Sequence, residues 1–179
     1  MPIQISIAAS SDENPKNEAI KKMKTFLDEI INLDNDVNFL TGGGGGLMTL
    51  LAEEVNKKDS GQVVGIKPIS MENISEKNIR WNPYNDININ SGMNFVSRSS
   101  ILVNSGNVLV ALGGGVGTMI EIFMAYNLSI PAIVITKTGY PTDGIKRITE
   151  NQYLDHKKLA KIYFTPEPKE AAKLALKKS

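Results

Sequence analysis

The feature that most constrains the fold is a pattern that occurs twice: a short apolar run, a glycine-rich turn and an amphipathic segment. Residues 37–55 read VNFLTGGGGGLMTLLAEEV, and residues 108–126 read VLVALGGGVGTMIEIFMAY. A strand, a glycine turn and a helix in this order place free backbone N–H groups at a helix N-terminus, where they can bind anions. The pattern therefore predicts an α/β protein with an anion-binding turn at the carboxyl end of a strand.

The two glycine turns are similar in spelling but differ in chemistry. Both contain GGGxGxM, and aligning Gly42 with Gly113, at an offset of 71, matches the glycines and the methionine. At this offset Thr118 and Glu121 fall on leucines of the first turn. We therefore expect the two turns to share a backbone shape, with polar chemistry in the second alone.

Short apolar, β-branched runs alternate with segments of helical spacing along most of the chain. This alternation predicts a Rossmann-like, doubly wound and mainly parallel sheet with helices on both faces. A length of 179 residues with 41% hydrophobic and 22% charged residues suits one domain, residues 1–179. A closing helix is expected in the C-terminal PKEAAKLALKK. The predicted strands are 3–8, 37–40, 63–66, 87–89, 108–111 and 132–135.

Two segments are less regular. Residues 67–87 could hold a short helix and a loop over the sheet edge, with Trp81 as a packing residue. Residues 136–144, TKTGYPTDG, are a candidate lid, in which Tyr140 either stacks on a ligand or packs at the surface.

Composition excludes several classes of protein. The formal net charge is +1, so we do not expect a nucleic-acid partner. No apolar run approaches the roughly 20 residues that a membrane span needs. Cysteine is absent, and the single histidine, His156, lies in a polar stretch, so we expect no thiolate chemistry, no catalytic triad and no metal site. Cytosol is the expected location.

The second glycine turn is the candidate site. We predict that Gly114, Gly115, Gly117 and Thr118 hold a phosphate through backbone N–H groups and a hydroxyl. Thr118 could instead cap the helix, and tight helix–strand packing is the alternative explanation of the glycines. Glu121 follows one turn later on the same side, among apolar neighbours, and is expected to point into a cleft.

A partner for this glutamate is predicted upstream. Arg98 is the one basic residue in GMNFVSRSSILVNS, residues 92–105, which we expect to be a long helix. It either forms a buried structural ion pair or recognises a phosphate or carboxylate. Asp86 is a candidate for a second acid. Further ligand contacts are expected from Ser10, Ser11, Gly43, Gly44 and Met93.

These motifs resemble those of the LOG family, cytokinin-activating phosphoribohydrolases that are often labelled "possible lysine decarboxylase". The family's GGGxxGLM turn is matched by GGGGGLM, residues 42–48, which is one residue shorter, and its GxVxGIxP segment corresponds to residues 61–68. Its PGGxGTxxE motif corresponds to residues 113–121, with glycine in place of the proline. Arg98 matches an upstream arginine, but Ser99 stands where a lysine usually follows. These departures are closer to a sister branch that includes molybdenum-cofactor carrier proteins.

The resemblance implies two functions. In the first, the protein hydrolyses the N-glycosidic bond of a nucleoside 5′-monophosphate, with Glu121 stabilising the oxocarbenium-like ribose or activating water and Arg98 orienting it. In the second, it is a non-catalytic carrier or sensor of a phosphorylated pterin, such as molybdenum cofactor, or of a nucleotide. A structural paralogue with an empty site is a third alternative.

The resemblance also bears on cofactors and assembly. It implies no required cofactor, although a nucleotide or molybdenum cofactor could be bound. It implies a homodimer or a higher homo-oligomer, with the site near the subunit interface. The lysine decarboxylase label receives no support, because no lysine is placed as a pyridoxal anchor.

Overall fold

The structure, a computed structural model, describes residues 2–34, 36–69 and 82–179. The strands in these ranges are β1 (Ile3–Ala8), β2 (Val37–Thr41), β3 (Gln62–Lys67), β4 (Ile87–Asn90), β5 (Val108–Ala111), β6 (Ala132–Ile135) and β7 (Ile162–Thr165). The helices are α1 (Asn17–Leu33), α2 (Leu47–Lys58), α3 (Phe95–Asn104), α4 (Val116–Asn127) and α5 (Pro168–Lys178), and a 3₁₀ helix spans Pro141–Ile148. Within the described ranges, no helix combines the length and the apolar character that a bilayer crossing requires.

The strands form one sheet in the order β4-β3-β2-β1-β5-β6-β7. Every strand pairing between described residues is parallel. The chain builds outward from β1 through β2 and β3 to β4, and then crosses to the other side of β1 to form β5. The sheet therefore has a topological switch point between β1 and β5, which is where ligands bind in doubly wound folds.

Side chains of successive strand residues pack on opposite faces of the sheet. Along β5, Val108 and Val110 belong to a core shared with α1, α2 and α5, whereas Leu109 and Ala111 belong to a core shared with α4. Strands covered on both faces read as continuous apolar runs, as in VLVA. The predicted Rossmann-like sheet with helices on both faces is confirmed.

The structure differs from the sequence prediction at several elements. It adds the edge strand β7, whose four residues follow a charged stretch and gave no periodic signal. Helix α3 begins at Phe95 rather than at residue 92, because the Asn94 side chain caps it by accepting hydrogen bonds from the N–H groups of Val96 and Ser97. The predicted closing helix is confirmed as α5. Residues 70–81, which include Trp81, lie outside the described residues.

The two glycine turns align at an offset of 70, not 71. Strand β2 ends at Thr41 and β5 at Ala111, and the glycines with positive φ in the same place are Gly43 (φ 70°) and Gly113 (φ 105°). Both subtractions give 70. The expected shared backbone shape extends only this far, because α4 is already helical at Val116, whereas its counterpart in the first turn is a glycine with positive φ.

Candidate functional site

A cavity of about 1170 Å³ opens at the switch point of the sheet. The segment after β1, both glycine turns and the first half of α3 line it. This volume accommodates a nucleotide-sized ligand. The predicted site residues that line it are Ser10, Ser11, Gly44, Arg98, Gly115, Gly117, Thr118 and Glu121.

The structure places the other three predicted ligand residues outside this lining. The N–H of Gly114 donates to Thr142 Oγ1 at 3.1 Å, so it is not available to a phosphate. The N–H of Gly43 donates to Thr41 Oγ1, and its Cα packs against Lys67 and Gly65. Met93 precedes α3, is 41% exposed and lies outside the cavity lining. The geometry therefore does not support direct ligand contacts from these three residues.

The glycines of the second turn serve two different purposes. A Cβ at Gly113 would lie 2.9 Å from Thr138 Oγ1, and a Cβ at Gly114 would lie 2.1 Å from Thr118 Oγ1. Tight packing therefore explains these two glycines. In contrast, a Cβ at Gly115 or Gly117 would meet no atom within 4 Å, and both residues line the cavity. Packing does not explain why these two positions lack a side chain.

Helix α4 begins without a side-chain cap. Its N-cap is Gly115, and Thr118 lies inside the first turn, so the threonine does not cap the helix. The first backbone bond of this helix runs from Met119 N–H to the Gly115 carbonyl at 3.1 Å. The preceding N–H groups, of Val116, Gly117 and Thr118, have no acceptor within the helix and carry its positive dipole end. The buried Thr118 side chain adds a hydroxyl beside them.

A buried ion pair lies one helical turn further along. Arg98 Nη1 donates to Glu121 Oε1 at 3.1 Å, and Ser99 Oγ donates to the same oxygen at 3.0 Å. Arg98 is 9% exposed and Glu121 is 7% exposed. Both described donors reach Oε1, so Oε2 is the carboxylate oxygen left for a ligand or a water molecule. The serine that replaces the expected lysine thus has a defined contact.

Burial and the two hydrogen-bonding partners act in opposite directions on the pKa of Glu121. Burial raises the pKa of the Glu121 carboxyl above its ordinary value, and the positive charge of Arg98 and the Ser99 hydroxyl only partly oppose this shift. Arg98 compensates the buried charge of Glu121. Removal of one partner of such a pair lowers the free energy of unfolding by about 3–5 kcal/mol. Perturbed carboxyls in clefts are frequent at functional sites.

The first glycine turn provides the surface on which Arg98 rests. A Cβ at Gly42 would lie 2.7 Å from Arg98 Nη2 and 2.8 Å from Nη1, so the guanidinium lies directly against the Gly42 backbone. Arg98 Nε has no hydrogen-bond partner among the described residues. The arginine on α3 thus connects the first turn with Glu121 of the second.

Ser10 joins the two turns through its backbone. Its N–H donates to the Gly113 carbonyl at 2.9 Å, and its carbonyl accepts from the Leu47 N–H at 2.9 Å. The leading N–H of α2 is therefore already occupied, unlike those of α4. A Cβ at Gly46, which has positive φ, would lie 2.5 Å from the Ser10 carbonyl oxygen, so packing explains this glycine.

Several residues that matter here gave a weak sequence signal or a misleading one. Asp86, the candidate second acid, accepts from the Val63 N–H at 2.7 Å and lies outside the cavity lining. Tyr140 is buried, not at the surface, and its hydroxyl accepts from the Lys16 N–H. Glu13 lines the cavity, but it reads as an ordinary surface charge in the loop after β1. No local pattern identifies such tertiary contacts.

Comparisons with known proteins agree with this architecture. The model of the SLOG cluster4 family, LDcluster4, matches residues 2–172. None of the curated proteins matches the chain. Among solved structures, the chain is similar to TM1055, a structural genomics target, with 28% identity, a TM-score of 0.81, and coverage of 98% of this chain and 99% of that one.

Two further similar structures have functional names. One is the molybdenum cofactor binding protein from the phototrophic bacterium Rippkaea orientalis, with 21% identity, a TM-score of 0.71, and coverage of 99% of this chain and 96% of that one. The other is the molybdenum cofactor carrier protein from Chlamydomonas reinhardtii, with 21% identity, a TM-score of 0.68, and coverage of 99% and 100%. At this identity the likeness shows the shared fold.

The contact between Gly42 and Arg98 generates a prediction. The added methyl group of Gly42→Ala should displace the flexible arginine from Glu121, because it would lie 2.7 Å from Nη2. Without the nearby cation, the pKa of the Glu121 carboxyl should rise further, and stability should fall by about 1–3 kcal/mol. A ¹³C NMR titration of carboxyl-labelled glutamate measures the pKa. The control is Gly44→Ala, whose nearest contact is Met48 Cε at 3.4 Å. An unchanged Glu121 pKa in Gly42→Ala would contradict this role of the glycine.

Proposed function

We propose that this chain, which belongs to the SLOG cluster4 family, binds a phosphorylated small molecule at the N-terminus of α4. The observation that carries this proposal is the pair of glycines, Gly115 and Gly117, that face the cavity with no protein atom near their missing side chains. Glycine at such positions allows the close approach of a ligand to the backbone. The uncapped start of α4 supplies N–H donors at the same place.

The charge of the cavity lining favours a small ligand over a polymer. Arg98 is the single cation among the described lining residues, and Glu121 already neutralises it. Backbone N–H groups and the Thr118 hydroxyl therefore provide the attraction for a phosphate. Nucleic-acid surfaces, in contrast, use several unpaired lysines and arginines to neutralise successive phosphates. We infer a small phosphorylated ligand and no nucleic-acid partner.

A carrier or sensor is the first form of this function. A phosphorylated pterin, such as molybdenum cofactor, would place its phosphate on the α4 turn and the rest of the molecule along the cavity. Glu121 would then be a positioning residue that accepts a hydrogen bond through Oε2. Two of the similar structures are named as molybdenum cofactor binding or carrier proteins, which supports this form.

Hydrolysis of a nucleoside 5′-monophosphate is the second form, and the position of Glu121 favours it. Its carboxylate lies one helical turn beyond the proposed phosphate site and lines the same cavity. Ionised Glu121 would stabilise the oxocarbenium-like ribose or accept a proton from the attacking water. The water oxygen would bond to C1′, the N-glycosidic bond would break, and the base would leave with a proton. Arg98 and Ser99 would hold the carboxylate in place.

The phosphate site can be tested without disturbing the fold. Gly117→Ala should abolish AMP binding, a loss of about 100-fold or more, because its methyl group would enter the cavity at the phosphate. Stability should remain equal or rise by up to about 1 kcal/mol, because alanine favours a helix over glycine. Isothermal titration calorimetry and thermal unfolding measure the two effects. The control is Gly144→Ala, also a glycine with open space around its Cβ but outside the cavity lining. Equal AMP affinity in Gly117→Ala and wild type would remove the phosphate site from this turn.

The two forms of the function differ in whether a bond breaks. Incubation with AMP and other nucleoside monophosphates, followed by chromatography, should release free base with wild type if the protein is a hydrolase. Glu121→Gln should then lower the rate by at least about 100-fold, since an amide can neither accept the proton nor stabilise the positive ribose. Retained AMP binding with no free base would reject the hydrolase form and leave the carrier form.

We also propose that the protein assembles as a homodimer through the rim of this cavity. Phe95, Val96 and Val116 line the cavity and yet expose their apolar side chains, with Val116 73% exposed and Val96 57% exposed. Met93, two residues before Phe95 in the chain, is also exposed. Exposed apolar groups clustered beside a site are typical of an interface. A second copy docked here would bring the subunit interface next to the ligand.

Substitution of one rim residue tests this assembly. Val96→Glu should convert the dimer to a monomer, because a charge would be buried at the interface at a cost of several kcal/mol. Light scattering after size-exclusion chromatography measures the mass. Ile148→Glu is the matched control, since Ile148 is 61% exposed but lies outside the cavity lining. A monomeric wild type, or a Val96→Glu variant of wild-type mass, would contradict the proposal.

A further inference from the structure

Thr142 holds the second glycine turn from outside the motif. The Gly114 N–H donates to Thr142 Oγ1 at 3.1 Å, and the Thr142 N–H donates to the Gly114 carbonyl at 3.2 Å. Thr142 is fully buried. Both polar groups of the Gly114 backbone are thus paired with one residue that lies 28 positions later in the chain.

The segment that carries Thr142 is itself fixed by hydrogen bonds. Asp143 accepts from the Thr138 N–H, the Thr138 hydroxyl and the Gly139 N–H, at 3.2, 2.9 and 2.8 Å. The Tyr140 ring lies against Gly113, where an added Cβ would be 2.9 Å from Cδ2. These contacts join residues 138–143 to one another and hold them against the glycine turn. The interpretation of this segment as a lid is therefore not supported.

We propose that Thr142 is a positioning residue of the phosphate turn. Its hydroxyl oxygen accepts the hydrogen bond of the Gly114 N–H. The first N–H groups that can bind a phosphate are therefore those of the first turn of α4. This inference deepens the proposed function and rests on it. A turn of three glycines has a wide choice of backbone conformations, and the Thr142 hydroxyl selects one of them before the ligand arrives.

The chemistry of this clamp depends on one oxygen atom. Valine has nearly the shape of threonine but no hydroxyl, so Thr142→Val would leave the buried Gly114 N–H without its acceptor. The freed peptide would then rotate to find another acceptor and displace the N–H groups that follow. Serine retains the oxygen, so Thr142→Ser should restore the clamp.

Binding of AMP to the wild type and to three variants tests the proposal. By isothermal titration calorimetry, Thr142→Val should bind AMP about tenfold more weakly than wild type, and Thr142→Ser within about twofold of it. Thr165→Val, which replaces another buried threonine outside the cavity lining, should bind AMP as wild type does. The rescue by serine separates a role of the hydroxyl from a general loss of packing. Equal AMP affinity in wild type and Thr142→Val would overturn the inference and leave the proposed function intact.

Amide exchange measured by NMR provides a test that needs no ligand. The Gly114 amide should exchange slowly with solvent in wild type, Thr142→Ser and Thr165→Val, and at least about tenfold faster in Thr142→Val. An unchanged Gly114 exchange rate in Thr142→Val would overturn the clamp whatever the ligand. A wild type that does not bind AMP, combined with fast exchange in Thr142→Val, would reject AMP as a ligand while supporting the clamp.

Discussion

A carboxylate buried in an apolar fold must be paired, and several features of this structure follow from that requirement. Glu121 lies on a helix whose neighbouring residues are apolar, and Arg98 and Ser99 of α3 supply its partners through one oxygen. The guanidinium needs space, which Gly42 of the first turn provides. This ion pair therefore holds α3 against α4. It also explains why the first glycine turn has a glycine at position 42, where a side chain would collide with Arg98.

The fold could be predicted from the sequence because its signal is local. Alternating apolar runs and helical stripes identified six of the seven strands, and the parallel sheet with helices on both faces is confirmed. The edge strand β7 was missed because four residues between charged segments carry no period. The predicted offset between the glycine turns was wrong by one residue. The prediction aligned identical residues, whereas in the structure the ends of strands β2 and β5 are the equivalent positions.

The site could be predicted only in part, because many of its contacts join residues that are far apart in the sequence. Glu121 and Arg98 were identifiable because each is a charge in apolar surroundings, and the structure brings them together. The assignment of Gly114 as a phosphate ligand could not have been corrected from sequence, because its N–H donates to a threonine on another element. The cavity contact of Glu13 and the structural bond of Asp86 are equally invisible, since both residues read as surface acids.

The four glycines of the second turn should be retained to different degrees during evolution, because two of them are needed for packing and two are not. A descendant that lost its ligand would remain under pressure to keep Gly113 and Gly114, since folding requires them. It would be free to drift at Gly115 and Gly117, where no protein atom opposes a side chain. The residues at these two positions would therefore distinguish working members of the family from members that retain only the architecture.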